Sequence, residues 1–169
     1  MDTTRTAVNT SKVTDRRALN FASLAEIRRD LDALEAAHRA DTLRTTGNWT
    51  PGQALSHLAA FMSYPYEGYP AELGTPPWLI RVILKAQKNK FIHKRMPVGV
   101  KIPGVRGGTV GADDAPFEQA AARLRNAMDR MEKAPPAMNN PIFGPLTHEE
   151  WMQMQCRHAE LHLGFLHPR

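Results

Sequence analysis

The sequence predicts an all-α protein, because five segments place their apolar side chains on one helical face. In the first of them Leu24, Ile27 and Leu31 recur at three- and four-residue intervals, which is the spacing of an amphipathic helix. Three of the segments open with a capping box, a start signal for helices. No segment predicts a sheet. Amphipathic helices of this length, joined by modest loops, favour a helical bundle.

The first two predicted helices each begin at a clear start signal. They follow a polar, Thr-rich segment, residues 1–20, which we expect to be a flexible tail. Ser23 then opens a Ser-Leu-Ala-Glu capping box. The second helix begins at Thr50, with proline at its first position, and is predicted to end at about Tyr64, before another proline. Residues 21–169 are expected to form a single domain.

Three further helices are predicted, and a long loop precedes the second of them. In chain order these elements are a helix from Pro76-Pro77 towards Ile92, a Gly- and Pro-rich loop over residues 96–112, a helix from near Asp113 to Met131, and a helix from Thr147 to about Phe165. The last helix opens with the third capping box, and prolines stop the one before it. The loop could also accommodate a short hairpin.

The composition indicates a soluble protein of a reducing compartment, for which the cytoplasm is the expected location. The 169 residues are enough for one hydrophobic core without disulfides. The single cysteine, Cys156, excludes a disulfide framework and a cysteine-cluster zinc site. The longest apolar run, from Trp78 to Leu84, is interrupted by Arg81 and is far too short to span a bilayer. Neither a secretory signal nor a membrane partner is expected.

The net charge of +5 is concentrated in one segment. Between Leu73 and Ala112 there is no acidic residue but there are eight basic ones, so the rest of the chain is slightly acidic. Such a patch could attract an anionic substrate or a nucleic acid, or it could simply be a solvated helix face. No aromatic residues interleave with the basic ones in the manner of single-strand binders, so nucleic acid is the disfavoured partner.

Three of the seven histidines are predicted to point into the protein. His158 and His162 lie one helical turn apart, on the same side of the last helix as Trp151 and Met154. His57, on the second helix, also lies on an inward face. Three histidine ligands that leave coordination positions open are typical of a catalytic metal centre. The alternative is that these are ordinary buried histidines, each with its own hydrogen-bond partner.

Two neighbouring residues do not fit other catalytic motifs. In the His-Glu-x-x-His motif of zinc peptidases the general base directly follows the first ligand. Here Glu160 is two residues further on and faces the other side of the helix, towards solvent or another surface. Cys156 also lies on that side, and we interpret it as a small buried apolar residue rather than a nucleophile.

Three motifs together resemble a known superfamily. They are residues 47–58 (GNWTPGQALSHL), residues 143–151 (FGPLTHEEW) and residues 157–163 (RHAELHL). They are similar to the DinB-like superfamily, also called the DinB/YfiT-like metalloenzymes, and within it to a family of small bacterial proteins of unassigned function. The resemblance covers most of residues 17–168. Its most specific part is Trp-x-x-x-Gln-x-x-x-His in the second helix combined with His-x-x-x-His in the last.

The resemblance implies a fold, a metal and a type of chemistry. The fold would be a DinB-like four-helix bundle of up-down-down-up topology, often dimeric, here with an additional helical segment and the Gly/Pro-rich loop. A divalent ion, zinc or nickel, would be bound by His57, His158 and His162. Characterised members of the superfamily use low-molecular-weight thiols, which some transfer and others employ in isomerising maleylpyruvate. The basic third helix and the long loop depart from the pattern.

The leading hypothesis is therefore a metal-dependent enzyme, a low-molecular-weight-thiol S-transferase or isomerase acting on a small molecule. Its substrate pocket is predicted to be lined by Gln53, Phe61, Tyr64, Trp151 and Met154, with Lys94 and Arg95 contacting an anionic part of the substrate. No residue is predicted to be a general base. Two alternatives stay open: a metal-binding stress or sensor module without turnover, and a helical bundle that binds anions or nucleic acid. A homodimer is expected.

Overall fold

The protein is α-helical. A computed structural model describes residues 7–74, 78–102 and 104–169. Within these ranges the α-helices are α1 (Leu24–Arg39), α2 (Pro51–Glu67), α3 (Trp78–Ala86), α4 (Lys88–His93), α5 (Phe117–Lys133) and α6 (His148–Leu163). None of the described helices is both long enough and apolar enough to cross a bilayer. The predicted all-α class is confirmed.

The four long helices α1, α2, α5 and α6 enclose the hydrophobic core. Helix α2 packs most extensively on α5 and also contacts α6, while α1 contacts both α5 and α6. The apolar face that the spacing predicts for α1 is buried, including Ile27 and Leu31. On α5 the predicted face is buried in the same way, from Phe117 to Met131. Burial of these stripes is the main stabilising contribution to the fold.

Two of the three predicted capping boxes form. The Thr50 hydroxyl accepts a hydrogen bond from Gln53 N, while the Gln53 side chain accepts one from Thr50 N. Thr147 and Glu150 make the same reciprocal pair at the start of α6. Ser23 is the N-cap of α1, as predicted, but its side chain makes no capping hydrogen bond. The complete boxes therefore fix the starts of α2 and α6.

The predicted end of α2 at Tyr64 is wrong, because the helix continues through Pro65 to Glu67. A proline inside a helix removes one N–H and leaves the carbonyl four residues earlier without its usual donor. That carbonyl belongs to Phe61, and the Gln155 amide of α6 donates to it at 3.4 Å. A side chain from a neighbouring helix thus replaces the missing backbone donor, which the local sequence does not reveal.

The predicted third helix is divided into α3 and α4 at Gln87, whose φ of −94° and ψ of 7° lie outside the helical region. Its predicted start at Pro76-Pro77 lies outside the described residues. Helix α4 packs on α6 and buries Ile92, whereas α3 buries none of its residues and packs chiefly on α4. In the basic segment, α4 is therefore packed against the bundle, whereas α3 is exposed to solvent.

A short sheet, which the sequence did not predict, joins the connection between α1 and α2 to the residues after α6. Arg44–Thr45 pairs antiparallel with Leu166–His167. Strands of two residues carry no periodicity that could be detected in a sequence. Residues 7–20 lie near this sheet, where Arg17 N donates to Gly164 O and the Arg17 guanidinium pairs with Asp30. The flexibility expected of residues 1–20 stays a prediction, and residues 1–6 lie outside the described part.

We expect the two formed capping boxes to contribute to stability and the Ser23 hydroxyl to contribute little. Thr147→Ala removes the acceptor for Glu150 N and should lower the free energy of unfolding by about 1 kcal/mol. Ser23→Ala is the matched control, since that hydroxyl caps nothing, and should change stability by clearly less. Urea denaturation followed by circular dichroism measures both. Equal losses in the two variants would contradict the assignment of the caps.

Candidate metal centre

The three inward histidines are placed by the two capped helices that face each other across the core. His57 lies on α2, in the second turn after the Thr50 box, and His158 and His162 lie one turn apart on α6. Because α2 packs on α6, the three imidazoles meet between them. The structure thus brings together all three residues that the sequence predicts as metal ligands.

The histidine Nε2 atoms converge on one point. His158 Nε2 lies 3.1 Å from His57 Nε2 and 3.1 Å from His162 Nε2. All three candidate ligand atoms lie within 4.8 Å of one another. For a metal–nitrogen bond of about 2.0–2.1 Å, ligands at octahedral to tetrahedral angles lie about 2.8–3.4 Å apart. Two of the three Nε2–Nε2 separations therefore suit ligands of one shared ion, and three imidazole nitrogens are a suitable ligand set for a divalent metal.

The orientation of the His57 ring is fixed by a backbone carbonyl. His57 Nδ1 lies 2.8 Å from Val110 O, and since a carbonyl only accepts, Nδ1 must carry the proton. In the neutral ring Nε2 is then an unprotonated lone-pair donor that points at the other two histidines. A hydrogen bond of this kind on the far nitrogen is the usual support of a metal-binding histidine.

Two glycines let the chain bring Val110 close to α2. A Cβ on Gly52 would lie 2.1 Å from Ala115 O, so the backbone at Ala115 packs against the start of α2 with no room for a side chain. Gly111 has a φ of +73°, and a Cβ there would lie 2.7 Å from the Tyr64 hydroxyl oxygen. These two close approaches let the chain run along α2 and place the Val110 carbonyl at His57.

Burial keeps all three rings neutral near pH 7. It lowers the pKa of His57 to about 4, although the hydrogen bond to Val110 acts in the opposite direction. Burial also lowers the pKa of His158 and His162 well below the ordinary value for histidine, and the neighbouring imidazoles act in the same direction. Metal binding needs the neutral imidazole, so the protein environment selects the binding form.

Aromatic side chains pack around the three imidazoles and restrict their rotation. Trp49 stacks on His162 with ring centroids 5.1 Å apart and an interplanar angle of 13°. Phe61 contacts His57 and His158 at centroid distances of 4.5 and 5.0 Å. This packing holds the ligand atoms in position without any contribution from an ion.

A cavity of about 480 Å³ opens beside the three rings. Its wall is mostly apolar and comes from α2, α6, residues 140–143 and the described part of the loop after α4. Volume and lining are typical of a site for a small organic molecule. Three ligands leave the remaining coordination positions of an ion open, and here they would be open towards this cavity.

A family model described as protein of unknown function (DUF1569) matches residues 13–169. The chain belongs to this family. No curated protein and no solved structure matches the chain. The family description assigns no activity, so the function of the DUF1569 site has to be inferred from its geometry.

Only some of the predicted substrate residues of this DUF1569 protein line the cavity. The cavity wall includes Phe61, Trp151 and Met154. The Gln53 side chain instead completes the Thr50 capping box and does not line it. Tyr64 faces a separate depression between α2 and α5, which residues such as Ser63 and Arg123 also line.

Lys94 and Arg95, the predicted contacts to an anionic substrate, are exposed and lie outside the cavity wall. Among the described residues of the cavity wall, the cation is Lys101, further along the same basic segment. Nothing in the sequence distinguishes Lys101 from its seven basic neighbours, because their positions relative to the site depend on the path of the loop. The sequence also did not identify Trp49 and Val110 as residues that contact the histidines, although Trp49 lies within the motif that contains His57.

A buried ion pair flanks the centre on the far side of α6. Arg157 and Glu160 lie 2.8 Å apart and are both buried. Glu160 accepts from Phe21 N at 2.6 Å, and Arg157 donates to Phe21 O. Glu160 thus faces another protein surface, which is one of the two orientations predicted. Its hydrogen bond to Phe21 N holds the segment before α1 against α6, the helix that carries His158 and His162. Cys156, on the same side of α6 as Glu160, is buried as predicted, and burial raises the pKa of its thiol to about 11.

We expect tag-free protein to bind one equivalent of a divalent ion. His57→Ala and His158→Ala each remove one of three ligands and should reduce the bound metal to a small fraction, as measured by elemental analysis after reconstitution and desalting. His93→Ala is the matched control, because His93 is an exposed histidine outside the cluster. Circular dichroism checks that each variant folds. Full metal content in the two ligand variants would contradict the assignment.

Proposed function

We propose that this DUF1569 protein is a divalent-metal-dependent enzyme whose ion, zinc or nickel, is bound by His57, His158 and His162. The observation that carries the proposal is the convergence of three neutral Nε2 atoms at the wall of an apolar cavity. A set of imidazoles without carboxylates suits zinc or nickel better than magnesium or calcium. Three ligands with open positions are typical of catalytic rather than structural sites.

We further propose that α1, α2, α5 and α6 form a DinB-like four-helix bundle, to which α3, α4 and the loop after them are added. The pairwise packing of these four helices supports this proposal. So does the position of the three motif segments, since two of them supply the histidines and the third supplies the start of α6.

The reaction class we propose is the transfer of a low-molecular-weight thiol to a small electrophile, or an isomerisation that uses such a thiol. When bound, a divalent ion at this site would supply Lewis-acid activation of a thiol or of water. In the transfer, the sulfur forms a bond to the electrophilic carbon, the leaving group departs with its electron pair, and the thiol proton is released to solvent.

The protein's own groups in the cavity bind and orient rather than exchange protons. None of the described residues that line it is Asp, Glu or Cys. Burial raises the pKa of Tyr69 to about 12, so its hydroxyl stays a neutral donor. Gln155 Oε1 is buried without a hydrogen-bond partner and is available as an acceptor, while Lys101 would attract an anionic substrate.

The absence of a general base from the described cavity wall also favours a second candidate, a metal-binding stress or sensor module without turnover. The two candidates differ in one measurable property. An enzyme needs a position on the ion that substrates can reach, whereas a sensor needs only reversible metal binding. The size of the cavity beside the histidines favours the enzyme.

We expect the metal-loaded protein to accelerate the loss of a low-molecular-weight thiol in the presence of an electrophile. His158→Ala should bring the rate to that of the uncatalysed reaction. Lys101→Gln should raise KM for an anionic electrophile by about tenfold, the typical effect of losing a hydrogen bond to a charged group, and leave KM for a neutral one unchanged. Thiol titration across a panel of thiols and electrophiles measures both effects.

Lys94→Gln is the matched control, because Lys94 is exposed outside the cavity wall, and its KM should equal that of the wild type. If a fully metal-loaded protein turns over none of the combinations, the enzyme proposal is wrong and the sensor candidate replaces it.

A further inference from the structure

Helix α3 presents an apolar face that the described part of the chain leaves uncovered. Trp78 is 74% exposed, Leu79 54%, Val82 56% and Ile83 47%. At 100° per residue these four side chains fall within an arc of about 140°, so they form one continuous strip. Exposed apolar surface of this kind marks an interaction site on a folded protein.

The segment that carries this strip is strongly cationic. From residue 74 to residue 111 the chain has eight basic residues and no acidic one. Lys88 is paired with Glu150 at 2.7 Å, while the other seven form no ion pair within the described residues. Arg81 and Lys85 lie on α3 itself, one turn apart, at the edge of the apolar strip.

We propose that α3 docks on the surface of an anionic lipid bilayer. The helix would lie in the interface plane, with its apolar strip in the headgroup and acyl boundary. Arg81 and Lys85 would extend from the edge of the strip to lipid phosphates, as long basic side chains do at interfaces. Trp78, at the start of the helix, is of the residue type enriched at this depth.

The positive charge around α3 favours an anionic lipid surface over a second copy of this chain as the partner that covers the apolar strip. Two copies joined through α3 would bring two acid-free basic segments together, and that like-charge contact is unfavourable. An anionic bilayer neutralises the same charges. The nine residues of α3 are too few to span a membrane but suit a helix lying on one. The sequence-based expectation of no membrane partner considered only spanning segments, and the docking proposed here departs from it.

The docking surface adjoins the cavity. Leu84 on α3 and Phe91 on α4 both line the cavity wall, so a bilayer on the apolar strip would lie close to the cavity rim. The proposal does not depend on the metal, since none of the three histidines lies on α3. Metal-free His158→Ala protein should therefore bind vesicles as the wild type does.

Co-sedimentation with vesicles of phosphatidylcholine, with and without phosphatidylglycerol, tests the proposal. We expect binding only to the anionic vesicles, weakened by added salt. Binding should shift tryptophan emission to shorter wavelength as Trp78 leaves water. Trp78→Phe should remove most of that shift, because Trp151 is buried and Trp49 packs within the site.

Two double variants separate the apolar and the electrostatic contributions. Leu79→Glu with Ile83→Glu should weaken binding by at least about a hundredfold, and Arg81→Gln with Lys85→Gln by about thirtyfold. Met138→Glu and Lys133→Gln are the matched controls, being an exposed apolar and an exposed basic residue outside the segment. Both should bind like the wild type.

Three results would overturn the proposal. The first is no binding to anionic vesicles, and the second is equal binding to neutral ones. The third is a stable dimer in sedimentation velocity that Leu79→Glu with Ile83→Glu converts to monomer, because a second copy of the chain would then cover the strip.

Discussion

Three neutral imidazoles sharing one small volume are the constraint on which the rest of the site depends. Buried polar rings are costly unless their nitrogens find partners, yet here His158 Nε2 faces the Nε2 atoms of His57 and His162 at 3.1 Å each. The Val110 carbonyl fixes the tautomer of His57, and Gly52 and Gly111 allow the close approach of this segment to α2. The capping boxes of α2 and α6 set the helix registers that make the three rings meet.

The segment between α2 and α5 combines two roles that are usually separate. Its loop lines the cavity beside the histidines, supplies Lys101 to it and carries the Val110 carbonyl that orients His57. Its first helix, α3, faces outward with an apolar strip edged by basic residues. The cavity wall and the exposed apolar strip are therefore built from the same stretch of chain.

Structural features that follow from helical periodicity or from a capping motif could be predicted from the sequence. Helix periodicity predicted the buried faces of α1 and α5, and the spacing of His158 and His162 predicted that both would turn inward with His57. Features that depend on contacts between residues far apart in the sequence could not be predicted. The extension of α2 through Pro65 depends on Gln155 from another helix, and the replacement of Lys94 by Lys101 at the cavity depends on the loop path. Gln53 was assigned to substrate, although its capping role was equally visible.

X-ray absorption at the metal edge of the zinc-reconstituted protein tests the central claim most directly. The three-histidine centre predicts a first shell with three imidazole nitrogens at about 2.0–2.1 Å, together with the outer-shell scattering that imidazole rings produce. His57→Ala protein, which we expect to keep only a small fraction of the metal, should show no three-imidazole shell. A sulfur scatterer at about 2.3 Å, or a shell of oxygens alone, would contradict the account, because the ion would then be bound elsewhere than between α2 and α6.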